Sequence, residues 1–295
     1  MRFQITLIEP PGERFVHFLF DLIRYVQHSL ELLGHECVLG RNRCDPKSTN
    51  ILVGTHLLAT EIDVDLLLGG ARDYVVLQTE ILGDGVVNGI RVSDRKERVL
   101  YPLLHGARAV WDGLDTNVEV LAKRGVRASL LRFGFDPLIE EIHHKSQKDI
   151  DFLFYGSLGP WRRSVLGKLE ALGYSVHQEF DAVSLFRNDL IARAEVVLTL
   201  RHGDGMAHLP QGRIIYAVNN RCLVVGEGGY GQEQLEDVFL WTNEPNDVVD
   251  LCRSARARAD RQELRETFYE RLRSRPMTAF VAPLVADLEG RAKVA

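Results

Sequence analysis

Ile150-Asp151-Phe152-Leu153-Phe154-Tyr155, then Gly156-Ser157-Leu158-Gly159-Pro160, then Trp161-Arg162-Arg163 leading into helix-forming residues as far as Leu172, is the passage on which the fold turns. A short apolar run bounded by glycine and proline reads as a buried parallel strand, the small residues as a tight turn, and the remainder as a helix. The same three parts open the chain. Residues 3–8 are apolar, Pro10-Pro11-Gly12 turns, and from Phe15 the residues Phe18, Leu19, Leu22, Ile23, Val26, Leu30 and Leu33 recur at helical spacing until Gly34. That spacing gives a helix one apolar face, and glycine is the residue best suited to end it. A strand-turn-helix unit that begins twice predicts two domains of the same kind.

Outward from these two starts, short apolar runs at residues 37–39, 50–53, 74–77, 109–111 and 128–131 extend the first set. Runs at 174–177, 196–200, 222–225 and 238–241, with helices around 182–193, 213–219 and 247–258, extend the second. Strands and helices in alternation specify an α/β fold in which each domain is a doubly wound parallel sheet covered on both faces. Between the sets, Ile142-His143-His144-Lys145-Ser146-Gln147-Lys148 is polar and aperiodic. The first domain is therefore expected over residues 1–142 and the second over 149–275. Residues 261–273 and 277–288 are helical by propensity, with a break at Pro276.

The composition agrees with two such domains. At 295 residues, 45% hydrophobic and 26% charged, the chain can fill two cores of ordinary size. A formal net charge of -5 supplies no basic field, so no general nucleic-acid binding is expected. Residues 1–10 lack a cleavage site, and no apolar run approaches bilayer length, so the expectation is a cytoplasmic protein with no transmembrane segment. Cys37, Cys44, Cys222 and Cys252 have no C-x-x-C spacing and read as free thiols rather than a metal site.

In doubly wound sheets the ligand lies beyond the carboxyl ends of the strands, so the turns after strands are where chemistry is sought. Gly12 and Glu13 occupy the first of these, although proline and glycine explain a tight turn there without a ligand. Gly156, Ser157 and Arg162 occupy its counterpart. There backbone N–H groups, a helix start and arginine suit a diphosphate, or alternatively form a capped turn with exposed arginines. Neither the dinucleotide fingerprint nor a Walker loop is matched. The passage from Arg201 and His202 to Gln211 and Arg213 follows an apolar strand and is rich in donors, and Glu227 stands in the glycine-rich turn after the next strand. The two histidines of that passage bring no partners at metal-ligand spacing. Asp63-Val64-Asp65 and Asp149-Ile150-Asp151 lie in an apolar stretch and at a strand start, so no metal is expected to act.

Three stretches together carry a resemblance: residues 149–159 with Arg162, the phrase Leu131-Arg132-Phe133-Gly134-Phe135-Asp136-Pro137, and residues 205–229. They resemble bacterial double-Rossmann (GT-B type) glycosyltransferases with a glycosyl-transferases-group-1-like carboxyl domain. In that family a phrase like V-P-F-G-V-D-P closes the first domain and F-x-G-S with a following arginine opens the second. Ile214-Ile215-Tyr216-Ala217-Val218-Asn219-Asn220-Arg221-Cys222-Leu223-Val224-Val225 stands where the family has L-L-E-A-M-A-x-G-x-P-V-V.

The resemblance implies two Rossmann-like domains facing a cleft, with residues 276–295 packing back on the first. It implies a hexosyltransferase-like, metal-independent enzyme. Its nucleotide-sugar donor would be a substrate rather than a cofactor, bound by Gly156, Ser157, Arg162, Arg201, His202, Gln211, Arg213 and Glu227, with Arg213 near the donor phosphates. The acceptor, unidentified, would be held by the first domain. Two family glutamates eight positions apart read here His208 and Tyr216, which departs from the usual ribose contact. That departure keeps open a non-catalytic nucleotide- or sugar-binding module, or a nucleotide-sugar epimerase or hydrolase on the same fold. For an inverting transfer the base is sought in the first domain. Glu80, just past the strand at 74–77, has the best address, with His17 second and His56 a third candidate.

Overall fold

The structure, a computed structural model, describes residues 1–12, 16–83, 85–88, 90–91, 93–180, 182–201 and 208–292. It forms two compact units, one of Met1–Phe133 with Met277–Ala295, the other of Gly134–Pro276.

The first unit runs β1 (Arg2–Leu7), α1 (Phe18–Leu32), β2 (Glu36–Arg41), β3 (Thr49–Val53), α2 (Glu61–Leu68), β4 (Tyr74–Gln78), β5 (Leu82–Gly83), β6 (Val86–Val87), β7 (Ile90–Arg91), α3 (Asp94–Gly106), β8 (Ala109–Asp112), α4 (Asp115–Lys123) and β9 (Ala128–Leu130). Among the described residues its sheet has the order β2-β1-β3-β4-β8-β9, every pair parallel. β3 and β4 bury every residue, as strands covered on both faces must. α1 turns Leu19, Ile23, Val26 and Leu30 inward, and Gly34 follows it at φ +84°. α2 begins with a capping box: Asp63 N–H donates to the Thr60 hydroxyl at 3.1 Å, and Thr60 N–H donates to the Asp63 carboxylate at 2.8 Å. β5, β6 and β7 form a small antiparallel ribbon after β4, for which the apolar runs give no signal.

The second unit runs β10 (Ile150–Tyr155), α5 (Pro160–Ala171), β11 (Val176–Glu179), α6 (Ser184–Arg193), β12 (Ala194–Thr199), α7 (Gln211–Asn219), β13 (Leu223–Glu227), β14 (Leu240–Thr242), α8 (Val248–Ala257) and α9 (Arg261–Arg273). Its described sheet, β11-β10-β12-β13-β14, is again wholly parallel. The architecture is thus α/β with two Rossmann-like sheets. β11 and β14 each begin two residues later than the apolar run that suggested them. Tyr174 packs edge-on against Phe152 at 5.1 Å, and Val238 and Phe239 are buried ahead of β14, so these loops carry core side chains.

The chain enters and leaves the second unit side by side, Phe135 pairing with Pro276 and donating its N–H to the Arg275 carbonyl at 2.9 Å. The division falls at Phe133 and Gly134, ahead of the polar run 142–148 that was read as a linker. That run belongs to the second unit. Lys145 N–H and Lys148 Nζ both donate to the Ala192 carbonyl at 3.0 Å, and Lys148 Nζ reaches the Ala194 carbonyl at 2.8 Å. Its polarity serves the last carbonyls of α6, which have no partner inside the helix.

α10 (Met277–Ala292) returns to the first unit and packs on α1. Arg108 fixes it there, pairing with both Asp73 oxygens at 3.0 Å while donating to the Leu288 carbonyl. No helix among the described residues is long and apolar enough to cross a membrane.

Candidate functional site

In the second unit the carboxyl ends of β10, β12 and β13 carry most of the residues singled out in the sequence. Gly156 follows β10 at φ +146°, a conformation open mainly to glycine. A Cβ there would come within 2.5 Å of Arg213 Nη2. Arg213 lies in the first turn of α7, its guanidinium over the Phe154 and Tyr155 rings at 4.9 and 5.3 Å. Its Nε and Nη1 are buried and find no hydrogen-bond acceptor among the described residues. Burial pushes its pKa down from the ordinary value. Two further buried groups on the same edge are unpaired there, Nε2 of Gln211 at the start of α7 and the hydroxyl of Thr199 at the end of β12. A Cβ on Gly231 would meet that Gln211 nitrogen at 2.5 Å. Sequence reasoning found Gln211 and Arg213 but missed Thr199, whose only signal is a hydroxyl closing an apolar run.

Arg162 is occupied differently. From the first turn of α5 its Nε donates to the Arg201 carbonyl at 2.9 Å, Nη2 to the Leu200 carbonyl at 2.8 Å, and Nη1 to the Ser157 carbonyl at 2.9 Å. Buried, and with Arg213 near, it is held below the ordinary arginine value, yet a guanidinium stays charged at neutral pH. It therefore fastens the Ser157 turn to the end of β12 and presents no spare donor fork. Glu227, at the end of β13 and 2% exposed, is likewise engaged. It accepts from Trp161 Nε1 at 3.0 Å, from Arg201 N–H at 2.9 Å, and from Arg201 Nε at 3.4 Å. Arg201, Glu227, Trp161, Arg162 and Ser157 are one network that sets the backbone around the Arg213 group.

The positions of the two family glutamates have other uses. His208 bridges to Tyr230, its ring tilted on that tyrosine at 5.2 Å. Tyr216 is fully buried, its hydroxyl 2.7 Å from both Glu141 Oε1 and Asn188 Oδ1, beneath the Arg187 guanidinium at 4.1 Å. His202 and Glu13 lie outside the described residues.

In the first unit, Gly12 turns at φ +84° with open space where a side chain would stand. His17 immediately precedes α1, its ring edge-on to Phe20 at 5.4 Å. Glu80 is buried two residues beyond β4. Its Oε1 accepts from the Thr79 hydroxyl at 2.9 Å, its Oε2 accepts from the Asn88 amide, and His56 Nδ1 lies 3.5 Å from Oε1. Asn88, in the ribbon, was not picked out from the sequence. Nearby, Asn117 donates to the Glu80 carbonyl at 2.7 Å and to both Asp112 oxygens at 3.0 Å. Burial pushes the Asp112 carboxyl up to about 7, against the Leu114 N–H and Asn117 amide that draw it down.

Three of the four D-x-D aspartates have structural employment. Asp63 caps α2, Asp149 pairs with Arg193, and Asp151 accepts from Arg256 Nε at 2.7 Å at the amino end of β10. Among the described residues no group of three or more His, Cys, Asp or Glu side chains is arranged to hold a metal ion.

The fold is that of the GT-B glycosyltransferases, two Rossmann-like parallel units in one chain. No family model matches the sequence, and no curated protein matches it. Solved structures do. An alpha-glucosyltransferase in complex with UDP and a 13-mer DNA containing an HMU base superposes with a TM-score of 0.61 at 11% identity, over 98% of this chain and 99% of that one. The DNA-modifying beta-glucosyltransferase, solved with and without uridine diphosphoglucose, gives 0.57 at 10% identity, over 98% and 100%. The UDP-forming alpha,alpha-trehalose-phosphate synthase of Burkholderia vietnamiensis gives 0.55 at 15%, over 93% and 77%.

Proposed function

We propose that this chain is a glycosyltransferase that moves a hexose from a nucleoside-diphosphate donor, bound by the second unit, to an acceptor taken by the first. The observation that carries the reading is the Arg213 guanidinium, buried at the start of a helix with Nε and Nη1 unpaired among the described residues. A buried charge without a partner is costly, and a diphosphate supplies both the opposite charge and the acceptors. The amino end of α7 adds partial positive charge on the same side. Gln211 and Thr199 bring two more groups unpaired among the described residues, while Gly156 and Gly231 leave the space in which Arg213 and Gln211 lie. Arg162, Ser157, Arg201 and Glu227 act by positioning this edge.

In the transfer, the bond between the sugar and the diphosphate breaks and its electron pair stays on the diphosphate. Arg213 and the α7 amino end stabilise that developing charge, the part that a divalent metal plays elsewhere, so the reaction runs without one. The solved neighbours bound to UDP or uridine diphosphoglucose make uridine the first nucleotide to try. All four cysteines are free and buried, which fits the reducing cytoplasm to which we assign the protein.

The test is calorimetric titration with UDP and other nucleoside diphosphates, followed by product detection with the matching nucleotide sugars. Arg213→Ala is expected to weaken diphosphate binding by tenfold to a hundredfold, about 1.5–3 kcal/mol for a charge-assisted contact. A wild-type protein that binds no nucleoside diphosphate overturns the reading, as does an Arg213→Ala protein with unchanged affinity.

A further inference from the structure

We propose that the outer edge of β11 is a docking surface for a second copy of this chain, the two copies of β11 pairing antiparallel about a two-fold axis at Gln178. β11 lies at one end of its sheet, with β10 on its inner side. In the common doubly wound order a further strand covers that flank. Here the chain leaves β11 through α6 and enters β12 on the far side of β10, so among the described residues no strand of this chain takes the place. An outer strand left open offers its backbone to another chain, and proteins ordinarily guard it with lysine, proline or a bulge. Val176-His177-Gln178-Glu179, in unbroken register with β10, has none of these.

The hydrogen bonds fix which residues face outward. Phe152 N–H donates to the Ser175 carbonyl at 3.1 Å and Gly156 N–H to the Glu179 carbonyl at 2.8 Å, so Ser175, His177 and Glu179 turn their backbone to β10. Val176, Gln178 and Phe180 therefore turn theirs away. A two-fold axis through Gln178 sets these outward groups against one another, Gln178 on Gln178 and Val176 on Phe180, each pair exchanging backbone hydrogen bonds. The same axis sets His177 of each copy against Glu179 of the other, at the closer positions between those bonds. Phe180 N–H donates within the chain to Glu179 Oε1 at 2.8 Å. On pairing it passes to the other copy's Val176 carbonyl, which leaves the carboxylate free for the imidazole.

Side chains complete the match. His177 and Glu179 are 41% and 33% exposed, with Nε2 and Oε2 3.8 Å apart within the chain, and a carboxylate opposite an imidazole attracts where like charges would repel. Both residues share the face on which α6 lies, because Tyr155, the register partner of Glu179, has the Arg187 guanidinium over its ring. The first turn of α6 brings Leu185 and Phe186, 76% and 65% exposed, and Phe180 and Val183 stand exposed between the strand and the helix. Large apolar side chains gathered beside an open strand leave water when a second copy covers them. Apolar meets apolar and acid meets base with one surface supplying both sides, as a two-fold interface requires.

Sedimentation velocity of the wild type is the first measurement, with a concentration-dependent dimer expected. A monomer at every concentration up to about 0.1 mM overturns the proposal. Cysteine substitution then tests the axis. Residues of a bonded antiparallel pair have Cα atoms about 5.5 Å apart, within disulfide reach, and the four native cysteines are buried and free. Mild oxidation is expected to link Gln178→Cys into a covalent dimer, to leave Val176→Cys and Phe180→Cys unlinked when each is alone, and to link those two when mixed. A protein that dimerises while Gln178→Cys stays unlinked overturns both the register and the surface. His177→Glu sets like charges opposite each other and is expected to weaken dimerisation at least about tenfold, while Glu179→Lys added to it is expected to restore the dimer. A dimer of unchanged strength in His177→Glu overturns the proposal as well.

Discussion

Arg213 occupies the space that a side chain on Gly156 would need, its Nη2 lying 2.5 Å from where a Cβ would stand. The turn after β10 and the first turn of α7 are thereby fitted to each other through one glycine. Gly156→Ala meets a strained backbone at φ +146° and displaces the guanidinium. It is expected to weaken UDP binding at least about tenfold, close to the effect of Arg213→Ala. Equal calorimetric affinities for Gly156→Ala and wild type would contradict this.

The two buried arginines are expected to respond differently to mutation. Arg162 satisfies the carbonyls of Ser157, Leu200 and Arg201, and Arg162→Ala leaves those acceptors unserved. Its cost is expected to be on the order of 3 kcal/mol, seen as a thermal midpoint lower by several degrees. Arg162→Lys should not restore it, because an ammonium does not span the same fork. Arg213→Ala removes a buried charge that is unpaired among the described residues, and should hold or raise the midpoint of the ligand-free protein. It should also abolish the rise that UDP gives the wild type. Thermal scans of the three variants with and without UDP decide the matter.

Asp112 makes stability depend on pH. Its carboxyl ionises at about 7 in the folded protein against an ordinary value of 3.8. Between those values the folded state keeps a proton that the unfolded chain has lost. The stability this confers is complete below the lower value and is lost as pH rises through the upper one. Urea midpoints at about pH 5 and pH 8 are expected to fall across the interval in the wild type, and to fall less in Asp112→Asn. Equal slopes in the two proteins would remove Asp112 as the cause.

Transfer is expected to survive chelation. With a guanidinium and a helix amino end acting on the leaving diphosphate, UDP release from UDP-glucose should proceed at full rate in excess EDTA. Loss of that activity, restored by magnesium or manganese, would show that a metal takes part.

Both sheets were legible because parallel strands buried on two faces write themselves as apolar runs, and because turn glycines follow them. The ribbon was not, since β5, β6 and β7 are two residues each, too short for any period to register. Gln211 and Arg213 could be picked out as donors at a helix start, but whether an arginine is spent on carbonyls depends on burial. On that point Arg162 and Arg213 look alike in the sequence and differ in the structure. His56 and Glu80 each fell at a strand end, yet their pairing needs the register of β3 on β4, which residue types alone do not encode. The polar run at 142–148 misled for a related reason, its side chains serving the end of a helix more than forty residues later.

The return of α10 to α1 bears on how the protein is made. The first unit is split in the sequence, its last helix lying beyond the whole of Gly134–Pro276. During synthesis the ribosome delivers the second unit complete and contiguous, while the first waits for Met277–Ala292 before α1 has its neighbour and Arg108 its carbonyl at Leu288. The unit that begins first is finished last, and until then α1 lacks the helix that covers its flank.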